Sequence, residues 1–308
     1  MREPEARDRQ SRKERSTENP VCPLCQSSEH HRRFSDSGYD VLVCEQCDLL
    51  FIHPYPASEE DQHRRVATYD FDDLVLPDPD RHYRIEIRFY QHYWPLIEQE
   101  FEGADSVLDV GCGCGRLLEL LGSHPGLFRA GIELNGPRAA MARRVAGCPI
   151  HEVPVEEFAG DTRFDVITLV NVLSHIPSFD SLFGAVRSLL TDRGKLILKV
   201  GEVAPDVRKN DLFDWDIPDH LHFLGLRTID YICRKYRFTI VRHRRVPHGQ
   251  ELFSQARWKT PGRSRFRNLI KTVVVHIPFA LPLLAKAYEL RHDQRIHSSL
   301  IVLSPERE

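Results

Sequence analysis

The chain contains no run of about 18 uncharged apolar residues, the length a helix needs to cross a bilayer. Its opening segment, MREPEARDRQSRKERSTENP, mixes both signs of charge around no apolar core, so it reads as neither a secretory leader nor a spanning helix. Without aromatics, that mixture predicts a disordered tail over residues 1–19. Basic excess is missing too: the formal net charge is -3, which gives no global attraction for nucleic acid. A third absence is more specific. A dinucleotide fingerprint G-x-G-x-x-G starting at Gly111 needs glycine at position 116, where the chain has Arg116.

What is present suits an enzyme of one large domain plus an accessory module: 308 residues, 41% of them hydrophobic. Residues 106–115 read SVLDVGCGCG, an apolar strand closing on Asp109 and followed by Gly111, Gly113 and Gly115. A strand running into a glycine turn is how a doubly wound sheet presents a small nucleotide-like ligand. Eighteen residues past Gly115, FRAGIELN forms a second apolar strand that ends at Glu133. A carboxylate there can accept both hydroxyls of a bound ribose. HEVPVEEFAG then precedes the strand FDVITLV at 164–170, a helix is expected over 181–190, and GKLILKV at 194–200 and SSLIVLS at 298–304 complete the strands.

Four of the eight cysteines fall in two C-x-x-C pairs, Cys22/Cys25 and Cys44/Cys47, with 18 residues between the pairs. Two such knuckles converge four thiolates on one tetrahedral zinc with no open ligand position, so the metal is structural. A ribbon this small buries too little apolar surface to fold unaided, and metal binding supplies the difference. Two disulfides or four buried thiols are the alternatives; a secreted context is unsupported. Such knuckles usually place glycine after the second cysteine, whereas here Gln26 and Asp48 stand there. Cys112, Cys114, Cys148 and Cys233 look like reduced cytosolic thiols.

The run D-x-G-x-G-x-G and the order of strands from about residue 103 to 245 resemble the class I S-adenosylmethionine-dependent methyltransferases. With the ribbon included, the chain looks like the bacterial members that carry an N-terminal zinc ribbon and serve biosynthetic pathways. The resemblance implies an α/β fold: a doubly wound, Rossmann-like, seven-stranded, mostly parallel sheet, with a helical insertion before the last strand. It implies S-adenosyl-L-methionine as cofactor, with Asp109, Gly111, Gly113 and Gly115 forming the turn that lets backbone approach the methionine part. Glu133 takes the ribose, Glu156 or Glu157 the adenine amine, and Asn171 follows the fourth strand on the cofactor edge. Tyr83, Ile87, Tyr90, Trp94, Ile97 and Phe101 recur on one helical face, the packing side of a cap helix that roofs the cofactor in the family. Tyr69, Tyr83 and Arg88 are candidates to reach it.

Methyl transfer to a hydroxyl or carbon acid needs a base near the reacting atom. His175 in NVLSHIPS, and His220 and His222 in WDIPDHLHFL, follow the fourth and fifth strands; His220 is the first choice. Beside Asp219 the latter pair suits either a metal or one oriented imidazole. DHLHF also reads as the start of a helix making local hydrogen bonds, and His175 as a cap or packing residue. The motif [DN]-P-P-[YF] of amino-group methyltransferases is absent, since the place reads Asn171-Val-Leu-Ser, and no Pro-Cys nucleophile exists.

The expected organisation is a tail (1–19), zinc ribbon (20–56), helical cap (57–101), methyltransferase core (102–249), insertion (250–297), and last strand with C-terminus (298–308). The insertion joins basic RWKTPGRSRFRNLIK to an apolar stretch broken by Pro278 and Pro282. It reads as a lid, as an interfacial segment over 257–290, or as a hairpin packed on its own domain. The expected activity is methylation, at oxygen or carbon, of a small-molecule, carrier-linked or lipid-linked intermediate. The expected location is the cytoplasm, with peripheral contact at the inner membrane face, and the ribbon is a candidate protein-docking surface. Two alternatives stay open: an RNA methyltransferase of rRNA type, and a non-catalytic cofactor-binding subunit.

Overall fold

Strand-forming runs rich in Val, Ile and Leu and lacking a polar face are the pattern of strands covered on both sides, and here they build the centre of the molecule. The structure is a computed structural model that describes residues 19–36, 38–55, 79–158, 162–209, 219–247, 280–292 and 295–306, with Ile217 and Ile277. Three ribbon strands come first: β1 (His30–Asp36), β2 (Tyr39–Cys44) and β3 (Leu50–His53). Helix α1 (Pro79–Ile97) leads to β4 (Ser106–Val110), α2 (Arg116–Leu120), β5 (Phe128–Ile132), α3 (Gly136–Ala146) and β6 (Ile150–His151). Then follow β7 (Phe164–Val170), α4 (Phe179–Leu189), β8 (Leu190–Val203), β9 (His222–Phe223), α5 (Thr228–Tyr236), β10 (Phe238–Pro247), α6 (Ala280–His292) and β11 (Ile296–Pro305).

The seven-stranded sheet has the order β10-β11-β8-β7-β4-β5-β6. Strands β6, β5, β4, β7 and β8 run parallel, while β11 is antiparallel to both its neighbours. From β4 the chain winds outward one way through β5 and β6, then returns to β7 and β8 on the other side. That reversal opens a crevice at the carboxyl edge beside β4, where doubly wound sheets take their ligands. Local signals place the helices. Asn135 caps α3 by accepting from Arg138 N, and Gly147 closes it in the left-handed region; Ser178 caps α4 through Ser181 N.

The expected seven-stranded fold is therefore the observed one, with β8 and β11 longer than the expected 194–200 and 298–304. Two expectations need revision. DHLHF does not begin a helix: His222–Phe223 is a short strand, and α5 starts at Thr228. On α1 the buried stripe is Phe89, Tyr90, Tyr93 and Ile97, continuing to Phe101 in the turn that follows, so Phe89 and Tyr93 replace Ile87 and Trp94 as the deepest residues. They pack with Val107, Val166, Ile197 and Leu300 of the sheet. Residues 1–18, Tyr69 and, within the insertion, residues 250–276, 278–279 and 293–294 lie outside the described residues.

The ribbon hairpin has no solvent face in β2, because both sides are covered. Val41, Val43, Leu50 and Ile52 pack with Val203, Leu221 and Phe223, while Leu42, Cys44 and Phe51 join the cluster that contains Phe179, Leu224 and Ile229. β9 completes the ribbon sheet as its fourth strand, pairing Phe223 with Leu50 and His222 with Phe51.

Candidate functional site

The turn after β4 is built from three glycines at positive φ: 71° at Gly111, 55° at Gly113 and 88° at Gly115. It is stitched to β5 by Gly111 N and Cys112 N, which both donate to Ile132 O, at 2.8 and 2.9 Å. At Gly113 the left-handed φ favours glycine, and the Glu86 carboxylate from α1 occupies the space a Cβ would need.

Glu86 takes the amides that a phosphate-binding turn would offer. Its Oε1 accepts from Cys114 N at 2.6 Å and its Oε2 from Arg116 N at 3.2 Å, with His82 Nε2 3.3 Å from Oε1. Glu133, at the end of β5, accepts from Gly113 N on Oε2 and from Asn135 N on Oε1, both at 2.9 Å. A carboxylate has about four acceptor positions, so each Glu133 oxygen keeps capacity for a ribose hydroxyl. Asp109 is buried in β4 and accepts from Thr168 Oγ1 at 2.6 Å. Burial raises its pKa to about 7, the charges of Glu86 and Glu133 adding to the effect and the Thr168 hydrogen bond opposing it.

The other cofactor-side candidates scatter. Tyr83 donates to Glu119, which also pairs with Arg116 at 2.6 Å, so its hydroxyl is engaged on α2. Exposed Arg88 bonds Gln91 at 3.2 Å. Glu156 lies exposed in the turn Val155–Glu157 beyond β6. Asn171 has φ 58°, and its Oδ1 accepts from Lys199 Nζ at 2.7 Å. Lys199 is buried, with its ammonium 5.3 and 5.2 Å from the ring centres of Phe89 and Tyr93. Sequence reasoning missed Lys199 and Glu86. The signals were a lysine inside the apolar run LILKV, and the spacing 82, 86, 89, 93 that puts Glu86 on the buried stripe of α1.

Across the crevice, His175 and His220 come together with ring centres 4.6 Å apart. His175 Nδ1 donates to the Asp219 carbonyl at 3.0 Å and lies 3.6 Å from its carboxylate; His220 Nδ1 is 3.9 Å from the same carboxylate. One ligand atom from each of these three residues lies within 4.8 Å of the others, close enough to share a cation, as do atoms of His82, Glu86 and Cys114. His222 is separate and fully buried: its Nδ1 meets Tyr55 Oη at 3.2 Å and its ring packs on Phe179.

The four ribbon cysteines also converge. Cys22 and Cys47 sulfurs are 3.6 Å apart, Cys25 and Cys44 sulfurs 3.4 Å, and all four lie within 4.8 Å. Tetrahedral zinc with bonds of about 2.3 Å wants sulfurs about 3.8 Å apart, so the set fits. The crowded thiols split in acidity: hydrogen bonds from Cys22 and Cys47 push Cys44 far below the usual thiol range, while Cys22 and Cys47 are pushed above it. Gln26 and Asp48 adopt φ of 62° and 60°. Their amides donate to Cys22 O and Cys44 O at 2.9 and 3.0 Å, so both knuckles close without glycine.

Residues 80–243 match the family described as "Methyltransferase domain". The ubiquinone biosynthesis O-methyltransferase of Pasteurella multocida is 33% identical over 116 residues, covering 32% of this chain and 48% of the relative. The chain thus spans about half the length of the curated relatives it matches. Among solved structures, the O-methyltransferase from a trans-AT PKS multienzyme of Brevibacillus brevis, in complex with S-adenosyl-L-homocysteine, aligns at TM-score 0.51 and 16% identity. The alignment covers 78% of this chain and 79% of that one. Haemonchus contortus phosphoethanolamine N-methyltransferase 2, in complex with S-adenosyl-L-methionine, aligns at TM-score 0.55 and 17% identity, covering 79% and 60%. At such identities the likeness establishes the fold.

Proposed function

The chain belongs to the methyltransferase-domain family, and on that footing we propose that it transfers a methyl group from S-adenosyl-L-methionine to an oxygen of a small-molecule biosynthetic intermediate. The observation that carries this reading is the charge of the glycine turn. Glu86 and Glu133 take the amides of Gly113, Cys114 and Arg116, and Asp109 lies buried beside them. A pyrophosphate would meet carboxylates where it needs donors, whereas a ligand bearing a sulfonium and an ammonium is attracted. Bound there, the cofactor supplies an electrophilic methyl group.

The chain's own residues do the rest. Glu133 receives the ribose hydroxyls, Glu156 serves the adenine end, and the aromatic stripe of α1 keeps water from the crevice. His175 is the better placed base: with Nδ1 donating to the Asp219 carbonyl, its basic lone pair lies on Nε2, and the Asp219 carboxylate stands 3.6 Å from Nδ1. His220, the first choice from sequence, shares that carboxylate at longer range and assists. Buried His222 holds the loop in place. The ribbon cysteines bind one structural zinc. The names of the curated relatives favour oxygen over carbon as the acceptor atom. Exposed Leu283, Leu284 and Leu290 on α6 favour an apolar, lipid-linked or carrier-linked acceptor.

Calorimetric titration of S-adenosylhomocysteine and of NAD+ into the protein tests the turn. The first is expected to bind and the second not; tighter NAD+ binding refutes the reading. Labelled-methyl transfer into cell extract then separates an enzyme from a non-catalytic binding subunit.

A further inference from the structure

Leu221 joins three parts of the chain that are far apart in sequence. Its N–H donates to Ser174 O at 2.8 Å, in the turn that carries His175, and its carbonyl accepts from Ile52 N at 3.0 Å, in ribbon strand β3. Its own neighbours in sequence are His220 and His222. Two further ties brace the same junction. Tyr55, just past β3, donates from Oη to Pro177 O at 3.1 Å and lies 3.2 Å from His222 Nδ1. β9 continues the ribbon sheet, and its residue Phe223 stacks on the His220 ring.

The knuckles are clamped as firmly. Arg227 grips the Asp48 carboxylate at 2.6 and 2.8 Å, Thr228 Oγ1 donates to Cys47 O at 2.8 Å, and Lys235 Nζ donates to Leu24 O at 2.8 Å. These three clamps join the knuckles to Arg227 and α5, in the segment between β8 and β10. None involves Gly111–Gly115, Glu86 or Glu133.

We propose that the cysteine ribbon is a wall of the acceptor side of the active site, and that Leu221 and Tyr55 are positioning residues through which a metal-loaded ribbon sets His175 and His220. This rests on the imidazole pair acting on the acceptor. Its consequence is a division of labour: metal in the ribbon governs acceptor-side geometry and leaves the cofactor turn alone. A detachable docking module would expose an apolar face to its partner, whereas β2 is covered on both sides.

Hydrogen exchange read by mass spectrometry on the full chain tests this, with metal-loaded protein compared with chelator-treated protein and with Tyr55→Phe. Metal removal is expected to speed exchange of the peptide 219–224 by about tenfold or more, as a local opening. S-adenosylhomocysteine affinity is expected to stay within about twofold, since none of the ribbon hydrogen bonds and ion pairs named above involves the turn. Tyr55→Phe keeps all four cysteines, so it is expected to retain about one zinc per chain while still loosening 219–224 and shifting the imidazole pKa values of His175 and His220 read by NMR. Exchange at 219–224 that stays unchanged while the ribbon peptides lose protection overturns the proposal, as does Tyr55→Phe leaving both readouts unmoved. Loss of S-adenosylhomocysteine binding from the intact protein would instead count against the cofactor reading. If chelation unfolds the chain, Tyr55→Phe alone decides.

Discussion

Replacing Glu133 by Gln separates a cofactor ligand from a loop brace. The carboxylate spans two amides, Gly113 N and Asn135 N, each at 2.9 Å. Glutamine keeps one oxygen for one of them and turns an NH2 towards the other, so one charge-assisted hydrogen bond is lost and two donors face each other. That costs about 1.5–3 kcal/mol in bond energy. Part of the cost appears as lowered stability, because the turn and the start of α3 lose a tie that exists without ligand. The remainder appears in binding, where the ribose hydroxyls face a neutral amide with less acceptor capacity. A fall of about 10- to 100-fold in S-adenosylhomocysteine affinity is expected, which is ~1.4–2.8 kcal/mol. Isothermal titration gives the affinity and a thermal melt on the same samples gives the brace. A lowered Tm with unchanged affinity refutes the ribose role and leaves Glu133 as a fastener.

Four further outcomes follow from the geometry. Asp109 ionises near pH 7 in the fold against an ordinary value of 3.8, so the folded state binds its proton more tightly. This group therefore costs nothing below about pH 4, lowers stability progressively as pH rises towards 7, and imposes a constant penalty of at most ~4 kcal/mol above that. Asp109→Asn should flatten that part of the curve in urea unfolding; parallel curves would sink the assignment. Gly225→Ala drives a Cβ into the Asp48 backbone, so it should cost ~3 kcal/mol or more and loosen the ribbon, measured by denaturant midpoint. Metal analysis should find about one zinc per chain, lost in Cys44→Ser together with much of the ribbon's protection; metal-free wild type would end the zinc reading. Removing residues 257–290 should abolish flotation with anionic liposomes if that stretch meets a lipid surface, and equal flotation of both forms would discard that idea.

The strands and the glycine turn were legible because their signals are local. Apolar runs bounded by Gly and Asp needed no partner to be recognised, and Glu133 could be placed by counting from Gly115. The knuckles were legible for the same reason, although Gln26 and Asp48 looked like departures until their left-handed conformation was seen. Asp48 is explained by Arg227, 179 residues away. No spacing rule reaches that far. The same limit hid the role of Glu86, whose helix position was readable but whose partners lie across the turn. It also hid β9: two residues are too short to announce a strand, and only the ribbon's free edge makes His222–Phe223 one. His175 and His220 were both named from their loops; their meeting over Asp219 is a product of topology.

Charge divides the carboxyl edge of the sheet into two sides, and the division bears on why Arg116 stands where a dinucleotide site has glycine. On the turn side, the Glu86 and Glu133 carboxylates concentrate negative charge, Asp109 lies buried beside them with its pKa raised to about 7, and the N–H of Arg116 itself is spent on Glu86. A third glycine would let the helix close on a phosphate, but the amides of Gly113, Cys114 and Arg116 are already taken by carboxylates. The turn instead favours a cation. On the proposed acceptor side stand His175 and His220, imidazoles that can take up a proton. An acceptor hydroxyl that must give up a proton beside a cationic donor requires that polarity, and each field would be wrong for the other's ligand. The two sides are also held by different hardware: α1 and β5 secure the turn, while the ribbon and α5 secure the imidazoles. Substitutions on one side should therefore add, within a few tenths of a kcal/mol, to substitutions on the other. A double-mutant cycle between Glu133→Gln and Tyr55→Phe, read by stability, should return a coupling near zero; a coupling above ~1 kcal/mol would mean the crevice is one cooperative unit and the division is wrong.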